Sequence, residues 1–290
     1  MFTIALTADL HYGPRHPEGV EATRRLAARL REEPADLLIL AGDIGAGDEF
    51  QRCLELFESL PGQKALVPGN HDIWVRPNDE RGDSMRVYRE HLPRLSAAHG
   101  FHYLDGGPLV LPDVGLAVVG SINWYDYSWA IDRLAAAIPD WKERLRTKRF
   151  QRGRHNDANY VRWGLDDAGF TREVVSTLNT HLTRALSWVP AALLVTHHPP
   201  FRGLNYPKKE PLDLDALLWE AFSGNAMMER LIAERGEAVP FAFCGHTHFA
   251  RETTHAATRG INIGGDYHFK RLLRFEWPSG TVTAEQFGTS

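Results

Sequence analysis

Short unbroken apolar runs alternate along this chain with stretches whose apolar residues recur every three to four positions. The runs FTIAL (2–6), LLIL (37–40), KALV (64–67) and AALLV (191–195) have the length and continuity of strands buried on both faces. Between the first two, residues 19–32 place Val20, Ala27 and Leu30 on one side of a helix that Pro34 stops. A second amphipathic helix fits 48–59, with Phe50, Leu54, Phe57 and Leu60 spaced for one face. Strand, helix and strand in turn predict a mostly parallel sheet. From about 101 the segments shorten to FHYL, PLVL and GLAVVGS, separated by Asp-Gly-Gly and Pro-Asp, and read as antiparallel strands. Residues 122–190 are the longest interval without a strand pattern. They hold INWYDYSW, helical stretches around 128–147 and near 170–188, and a basic tract (Arg144, Arg146, Lys148, Arg149, Arg152, Arg154), so they are expected to form an insertion that caps or borders a site. A loop rich in Pro and Lys follows at 201–211, then two helical patterns near 213–235. The final strands begin at FAFCG and end in what reads as a meander with a Pro-Ser-Gly turn.

Five of the apolar runs end in His, Asp or Asn: TADLH (Asp9, His11), AGDIG (Asp43), PGNHD (Asn70, His71, Asp72), VTHHPP (His197, His198) and CGHTH (His246, His248). In an open α/β sheet, ligands bind at the carboxyl ends of the strands, so these residues are expected to share one edge and to hold metal. Asp9 and His11, two apart at a strand end, are predicted to face the same way by strand periodicity. Asp43 offers two oxygens that can bridge a pair of cations, while Asn70 adds an amide oxygen and His197, His246 and His248 add imidazole nitrogens. His197 and His198 compete for one role, and His197 is preferred because it comes first after the run. A mixed oxygen and nitrogen set suits two divalent or trivalent transition-metal ions, manganese first, with iron, zinc, cobalt or nickel as alternatives, better than magnesium or calcium. Sulfur is absent from the set, which argues against a closed structural zinc site.

Two such cations favour hydrolysis of phosphate esters by a metal-activated water. His71, held beside Asn70, can then donate a proton to the leaving oxygen, and Asp72 can orient that imidazole or its loop. Gly69 is expected to lend backbone freedom just before this triplet. Asn123, Trp124 and Tyr125 follow a strand that ends near the site and are candidate substrate contacts, although burial under the insertion is the commoner fate of such aromatics. His16, His155, Tyr267 and His268, outside the motifs, read as surface or packing residues.

Composition adds limits. A net charge of −4 over 290 residues gives no overall attraction to nucleic acid or anionic membrane. Cys53 and Cys244, the only two cysteines, are too few for a disulfide framework. No apolar stretch approaches the roughly 18 residues of a membrane span, and the chain opens on a strand rather than a signal-peptide pattern, so a cytoplasmic location is expected. The motifs run from Asp9 to His248 without a linker, which predicts a single domain over 1–290 with the insertion inside it.

In this order the motifs Asp9-Leu10-His11, Gly42-Asp43, Gly69-Asn70-His71-Asp72, His197 and Gly245-His246-Thr247-His248 closely resemble those of the calcineurin-like metallophosphoesterases. The resemblance covers nearly the whole chain. It implies a four-layer α/β-β/α sandwich of two mixed sheets flanked by helices. It further implies one metal on Asp9, His11 and His248, another on Asn70, His197 and His246, Asp43 as the bridge and His71 as the acid. The expected activity is hydrolysis of phosphodiesters or small phosphomonoesters, with a DNA-repair-type nuclease or a non-catalytic interaction scaffold as alternatives. One departure stands out: many members continue Gly-Asp into G-D-x-x-D, and here Ala46 takes the place of the last carboxylate.

Overall fold

Alternation along β1 (Phe2–Thr7) decides the layering: Ile4 and Leu6 face one core and Ala5 another, as the two-residue period of a strand requires. In the computed structural model, which describes residues 1–207 and 212–288, β2 (Leu37–Ala41) and β3 (Gln63–Val67) repeat the pattern. Leu37, Ile39, Ala41, Ala65 and Val67 point to the inner core, and Leu38, Leu40 and Leu66 to the outer one. The helices Pro17–Glu32 and Asp48–Glu55 cover that outer face with Leu26, Leu30, Phe50, Cys53 and Leu54.

The remaining strands are β4 (His102–Tyr103), β5 (Leu109–Leu111), β6 (Leu116–Ser121), β7 (Ala191–Thr196), β8 (Phe241–Cys244), β9 (Arg251–His255), β10 (Thr258–Asn262), β11 (Lys270–Trp277) and β12 (Thr281–Phe287). They complete two six-stranded sheets, ordered β12-β11-β1-β2-β3-β4 and β5-β6-β7-β8-β10-β9. Both are mixed. β1 to β4 run parallel, β11 pairs antiparallel with β1 and β12 antiparallel with β11; in the second sheet β6, β7, β8 and β10 are parallel and β5 and β9 antiparallel. Val118, Leu193, Val195 and Phe243 meet the first sheet across the inner core. On the far side Ala117, Val119, Ala192 and Leu194 lie under the helices Asp167–Leu186 and Ala226–Arg235. Helices, sheet, sheet and helices form the four-layer sandwich that the motifs imply.

Several details depart from the sequence pattern. β4 pairs parallel with β3, so the strand near 101 extends the first sheet instead of opening an antiparallel set. The C-terminal strands form two hairpins in different sheets, β9-β10 and β11-β12, and not one meander. The helical stretch near 128–147 is split into Ile131–Ala137 and Trp141–Thr147. Ile138, with φ −144° and ψ 140°, precedes Pro139, and a residue before proline is driven out of the helical region. The helix Asp167–Leu186 is the crossover between β6 and β7 and belongs to the body of the sandwich. The expected insertion at 122–190 is thereby narrowed to 122–166. Residues 208–211 of the Pro- and Lys-rich loop lie outside the described residues. Among the described residues no helix is long and apolar enough to cross a membrane.

Candidate metal centre

The loops that follow β1, β2, β3, β7 and β8 carry the motif residues to one end of the two sheets, the carboxyl end of these parallel strands. Asp9 and His11 reach a common point by a route other than strand periodicity. β1 ends at Thr7, and the two residues take left-handed backbone, with φ of 55° and 39°. Asp43 (51°), His246 (72°) and His248 (57°) do the same. Asp and His are among the few side-chain-bearing residues enriched in that region, and each stores on the order of 1–3 kcal/mol that the surrounding fold must hold. Backbone bonds supply part of the restraint. The Asp9 N–H donates to the Gly42 carbonyl at 3.0 Å and the His11 N–H to the Asp43 carbonyl at 2.7 Å. Asp9 Oδ1 accepts from the His246 N–H at 2.9 Å.

Donor atoms of Asp9, His11, Asp43 and His248 all lie within 4.8 Å of one another. The Nε2 atoms of His11 and His248 are 2.9 Å apart; the first is 3.5 Å from Asp43 Oδ2 and the second 3.7 Å from Asp9 Oδ1. Asp43 Oδ1 faces a different group, lying 3.4 Å from His197 Nε2, which is itself 3.1 Å from Asn70 Oδ1. His246 stands beside His197 with ring centroids 5.2 Å apart. The Nδ1 of His197 donates to the Ala41 carbonyl at 3.1 Å, a contact that turns the other nitrogen, Nε2, toward the cluster. His198 packs against Trp124, Tyr125 and His246, and its Nε2 is buried without a hydrogen-bond partner. Gly69 matters for closeness rather than for backbone freedom: a Cβ there would lie 2.1 Å from Asp43 Oδ1.

Burial raises the pKa of the Asp9 carboxyl, and His248 and His197 offset this only in part. Burial acts likewise on Asp43, but His197, His71 and His11 together outweigh it and hold Asp43 well below the usual carboxylate range. For His197 burial opposes protonation, yet Asp43 and Asp9 lift it to about 9. His11 and His246 are pushed well below their usual value, chiefly by burial. His11 and His246 thus present neutral imidazole lone pairs, while the negative charge of Asp43 and Asp9 attracts positive charge to the cluster, at present the proton on His197. Asp9 Oδ2 and His246 Nδ1 are buried with no hydrogen-bond partner in the protein. Buried carboxylate, amide and imidazole donors without sulfur fit first-row transition cations, which would supply the missing partners.

His71 is partly exposed, with Nε2 3.8 Å from Asp43 Oδ2. Its N–H donates to Asp43 Oδ1 at 2.9 Å, and its ring stacks on Trp74 with centroids 3.6 Å apart. Burial pulls its pKa down, against Asp43 and Asp157. Asp72 serves the loops and not the imidazole: Oδ1 accepts from the Gly45 N–H at 2.8 Å and Oδ2 from the Gly69 N–H at 2.7 Å. Burial and the Asp43 charge raise it to about 8, against these two N–H groups. The segment that lacks a carboxylate at Ala46 is thereby tied down from the opposite loop.

Asn123, Trp124 and Tyr125 are fully buried, which corrects the expectation that they meet substrate. The Asn123 Nδ2 donates to the carbonyls of His198 (3.3 Å) and Pro199 (3.2 Å), and Trp124 Nε1 donates to Asp167 Oδ1 at 2.9 Å. These groups brace the loop after β7 and the base of the cap. Sequence reasoning misses four other residues that touch the centre. Trp74 and Asp157 act on His71 and Asn70; Lys270, buried, donates to the Asp9 carbonyl at 3.0 Å and to the Asp266 carbonyl, and burial brings its pKa down to about 8. Tyr267 packs beside His11, His16 and His248, with centroids 4.3, 4.6 and 5.0 Å away. No motif contains any of the four. Asp157 is also an anion held low: burial would raise its pKa, but His155 and donors including Asn70 and Trp74 prevail.

A model of the family described as calcineurin-like phosphoesterase matches residues 2–250. Among solved structures the chain is similar to a phosphopantetheinyl hydrolase from Mycobacterium tuberculosis, at 22% identity and a TM-score of 0.69 over 92% of this chain and 90% of that one. It is also similar to a dimetal phosphatase from Danio rerio, at 16% identity and a TM-score of 0.59 over 100% of this chain and 99% of that one. A third likeness is to GAP50, the anchor in the inner membrane complex of Plasmodium, at 8% identity and a TM-score of 0.51 over 100% and 89% of the two chains. At such identities these likenesses establish the fold alone. None of the curated proteins matches the chain.

Proposed function

Since the chain belongs to the calcineurin-like phosphoesterase family, we propose that it is a dinuclear metal-dependent hydrolase of phosphodiesters or small phosphomonoesters. The observation that carries this reading is Asp43, whose Oδ2 faces His11 and whose Oδ1 faces His197, one donor group on each side of a single carboxylate. Asp9, His11 and His248 would hold one cation and Asn70, His197 and His246 the other, with Asp43 shared. When bound, the pair, manganese before iron, zinc, cobalt or nickel, would activate a water and neutralise charge on the phosphoryl oxygens.

The remaining work falls to the chain's own side chains. His71, at the partly exposed rim, is placed to give a proton from Nε2 to the leaving oxygen. A phosphate dianion in front of it favours the imidazolium form that burial disfavours. Asp72 positions the two loops that carry Asp43 and Asn70. A small substrate is favoured over nucleic acid, because Arg144, Arg146 and Lys148 of the basic tract are already paired with Asp140, Glu143 and Asp167. All the expected donors are present, which favours catalysis over a scaffold role.

The test is hydrolysis of chromogenic phosphodiesters and phosphomonoesters with added Mn²⁺, alongside elemental analysis of the protein. Two equivalents of metal per chain are expected, with loss of bound metal in Asp43→Asn. A fall of about 10²–10⁴-fold in kcat is expected in His71→Asn, the span of general acid catalysis. Undiminished turnover in both variants would refute the assignment.

A further inference from the structure

An asparagine side chain has one face that accepts and one that donates, and only the oxygen can ligate a cation. An ionised carboxylate only accepts. Asp157 Oδ1 lies 2.9 Å from Asn70 Nδ2, so the amide must turn its NH₂ group to Asp157 and its Oδ1 toward His197 Nε2, 3.1 Å away. The same Asp157 oxygen accepts from Trp74 Nε1–H at 2.8 Å. Trp74 is in turn stacked on His71 with centroids 3.6 Å apart, and its ring is also stacked on Tyr160 at 4.9 Å. Tyr160 closes the short cap helix Asp157–Tyr160, and its carbonyl accepts from the Val75 N–H at 2.9 Å. The cap therefore grips the indole by its edge and its face at once. The other carboxylate oxygen looks back into the cap, accepting from the Tyr125 hydroxyl at 2.8 Å and lying 3.3 Å from His155 Nδ1.

We propose that Asp157 is a positioning residue of the metal centre, one that fixes the direction of the Asn70 amide oxygen and, through Trp74, the plane of the His71 imidazole. The inference rests on the reading of Asn70 as a ligand and His71 as the proton donor. It makes the cap part of the machinery: a residue 87 positions from Asn70 decides which end of that side chain faces the cations. A purely structural Asp157 would affect folding alone. A positioning Asp157 affects cation affinity and turnover while the protein remains folded.

The test is titration of metal-free protein with Mn²⁺ by calorimetry, with thermal melts and with kcat and KM measured on an ester that the wild type hydrolyses. Asp157→Ala is expected to weaken Mn²⁺ binding by about 10–100-fold, the usual effect of removing a partner that orients a ligand, and to lower kcat with KM nearly unchanged. Asp157→Asn is expected to recover most of the affinity, because its amide oxygen can still accept from Asn70 and Trp74. Tyr125→Phe, which removes a donor only on the cap side, is expected to lower the melting temperature and keep the affinity within about twofold. The proposal is overturned by a folded Asp157→Ala whose Mn²⁺ affinity stays within about twofold of wild type, or by a Tyr125→Phe that loses as much affinity as Asp157→Ala. If Asp157→Ala does not fold, Asp157→Ser, whose hydroxyl is too short to reach Asn70, is judged by the same two criteria. A wild type that binds no Mn²⁺ and hydrolyses no ester overturns the functional reading and this inference together; an active, metal-binding wild type beside an unaltered Asp157→Ala overturns this inference alone.

Discussion

Replacing Gly42 by alanine puts one methyl group into the middle of the site. Gly42 has φ +86°, and a Cβ there would lie 2.4 Å from His197 Nδ1 and 2.6 Å from its Cγ. Two penalties follow. Left-handed backbone costs an alanine about 1–2 kcal/mol. The clash adds about 1–3 kcal/mol, as overpacking in a filled core does, because His197 is fully buried and held by its 3.1 Å contact with the Ala41 carbonyl. The sum, about 2–5 kcal/mol, lowers the melting temperature of a chain this size by on the order of 10 °C. Gly115→Ala is the control: its φ of +64° is also left-handed, but the nearest atoms to a Cβ, on Pro190, are 3.8 Å away, so only the first penalty applies. Scanning calorimetry of both variants, with and without Mn²⁺, reads the difference. Gly42→Ala should melt well below Gly115→Ala and should show little of the rise in melting temperature expected of the wild type with Mn²⁺, since His197 is displaced. Melting temperatures within about 2 °C of each other would refute the steric argument.

Burial raises the carboxyl of Asp105 from the usual 3.8 to about 6, against hydrogen bonds from Tyr88 and Ile122. The folded state therefore keeps a proton that the unfolded chain has lost, and stability falls as pH rises through this window, by about 3 kcal/mol in all. The stability difference between wild type and Asp105→Asn, measured by urea unfolding from pH 3.5 to 7, should change by about that amount in favour of the variant, and a difference independent of pH would contradict the argument. Lys270→Met leaves the carbonyls of Asp9 and Asp266 without their buried donor, which costs about 1–3 kcal/mol for each unpaired group. A lower urea midpoint at constant slope checks this; an unchanged midpoint would show that those carbonyls find other partners.

Leu37–Ala41 has no position that is not buried, so the sequence shows an unbroken apolar run that stops at Gly42-Asp43 and announces both the strand and its polar end. The identity of the donors is legible for the same reason at each of the other strand ends. How they converge is not. Left-handed backbone at Asp9, His11, Asp43, His246 and His248 leaves no periodic trace, so a strand-based argument arrives at the shared direction of Asp9 and His11 through the wrong geometry. INWYDYSW reads alike whether its aromatics meet a ligand or a cap, and only burial distinguishes the two. Asp157 and Lys270 lie in segments remote from the motifs, and their pairing with Asn70 and Asp9 exists only in the folded chain.

The first sheet supplies Asp9, His11, Asp43 and Asn70, and the second supplies His197, His246 and His248. Asp9 and His246 touch across 237 positions of chain, and contacts so distant in sequence form late in folding because their loop-closure entropy must be met first. Each donor group draws on both sheets, so an intermediate with one sheet alone offers only an incomplete donor set. Mn²⁺ uptake during refolding should thus lag the appearance of strand signal, and the length of that lag measures the time the two sheets take to dock.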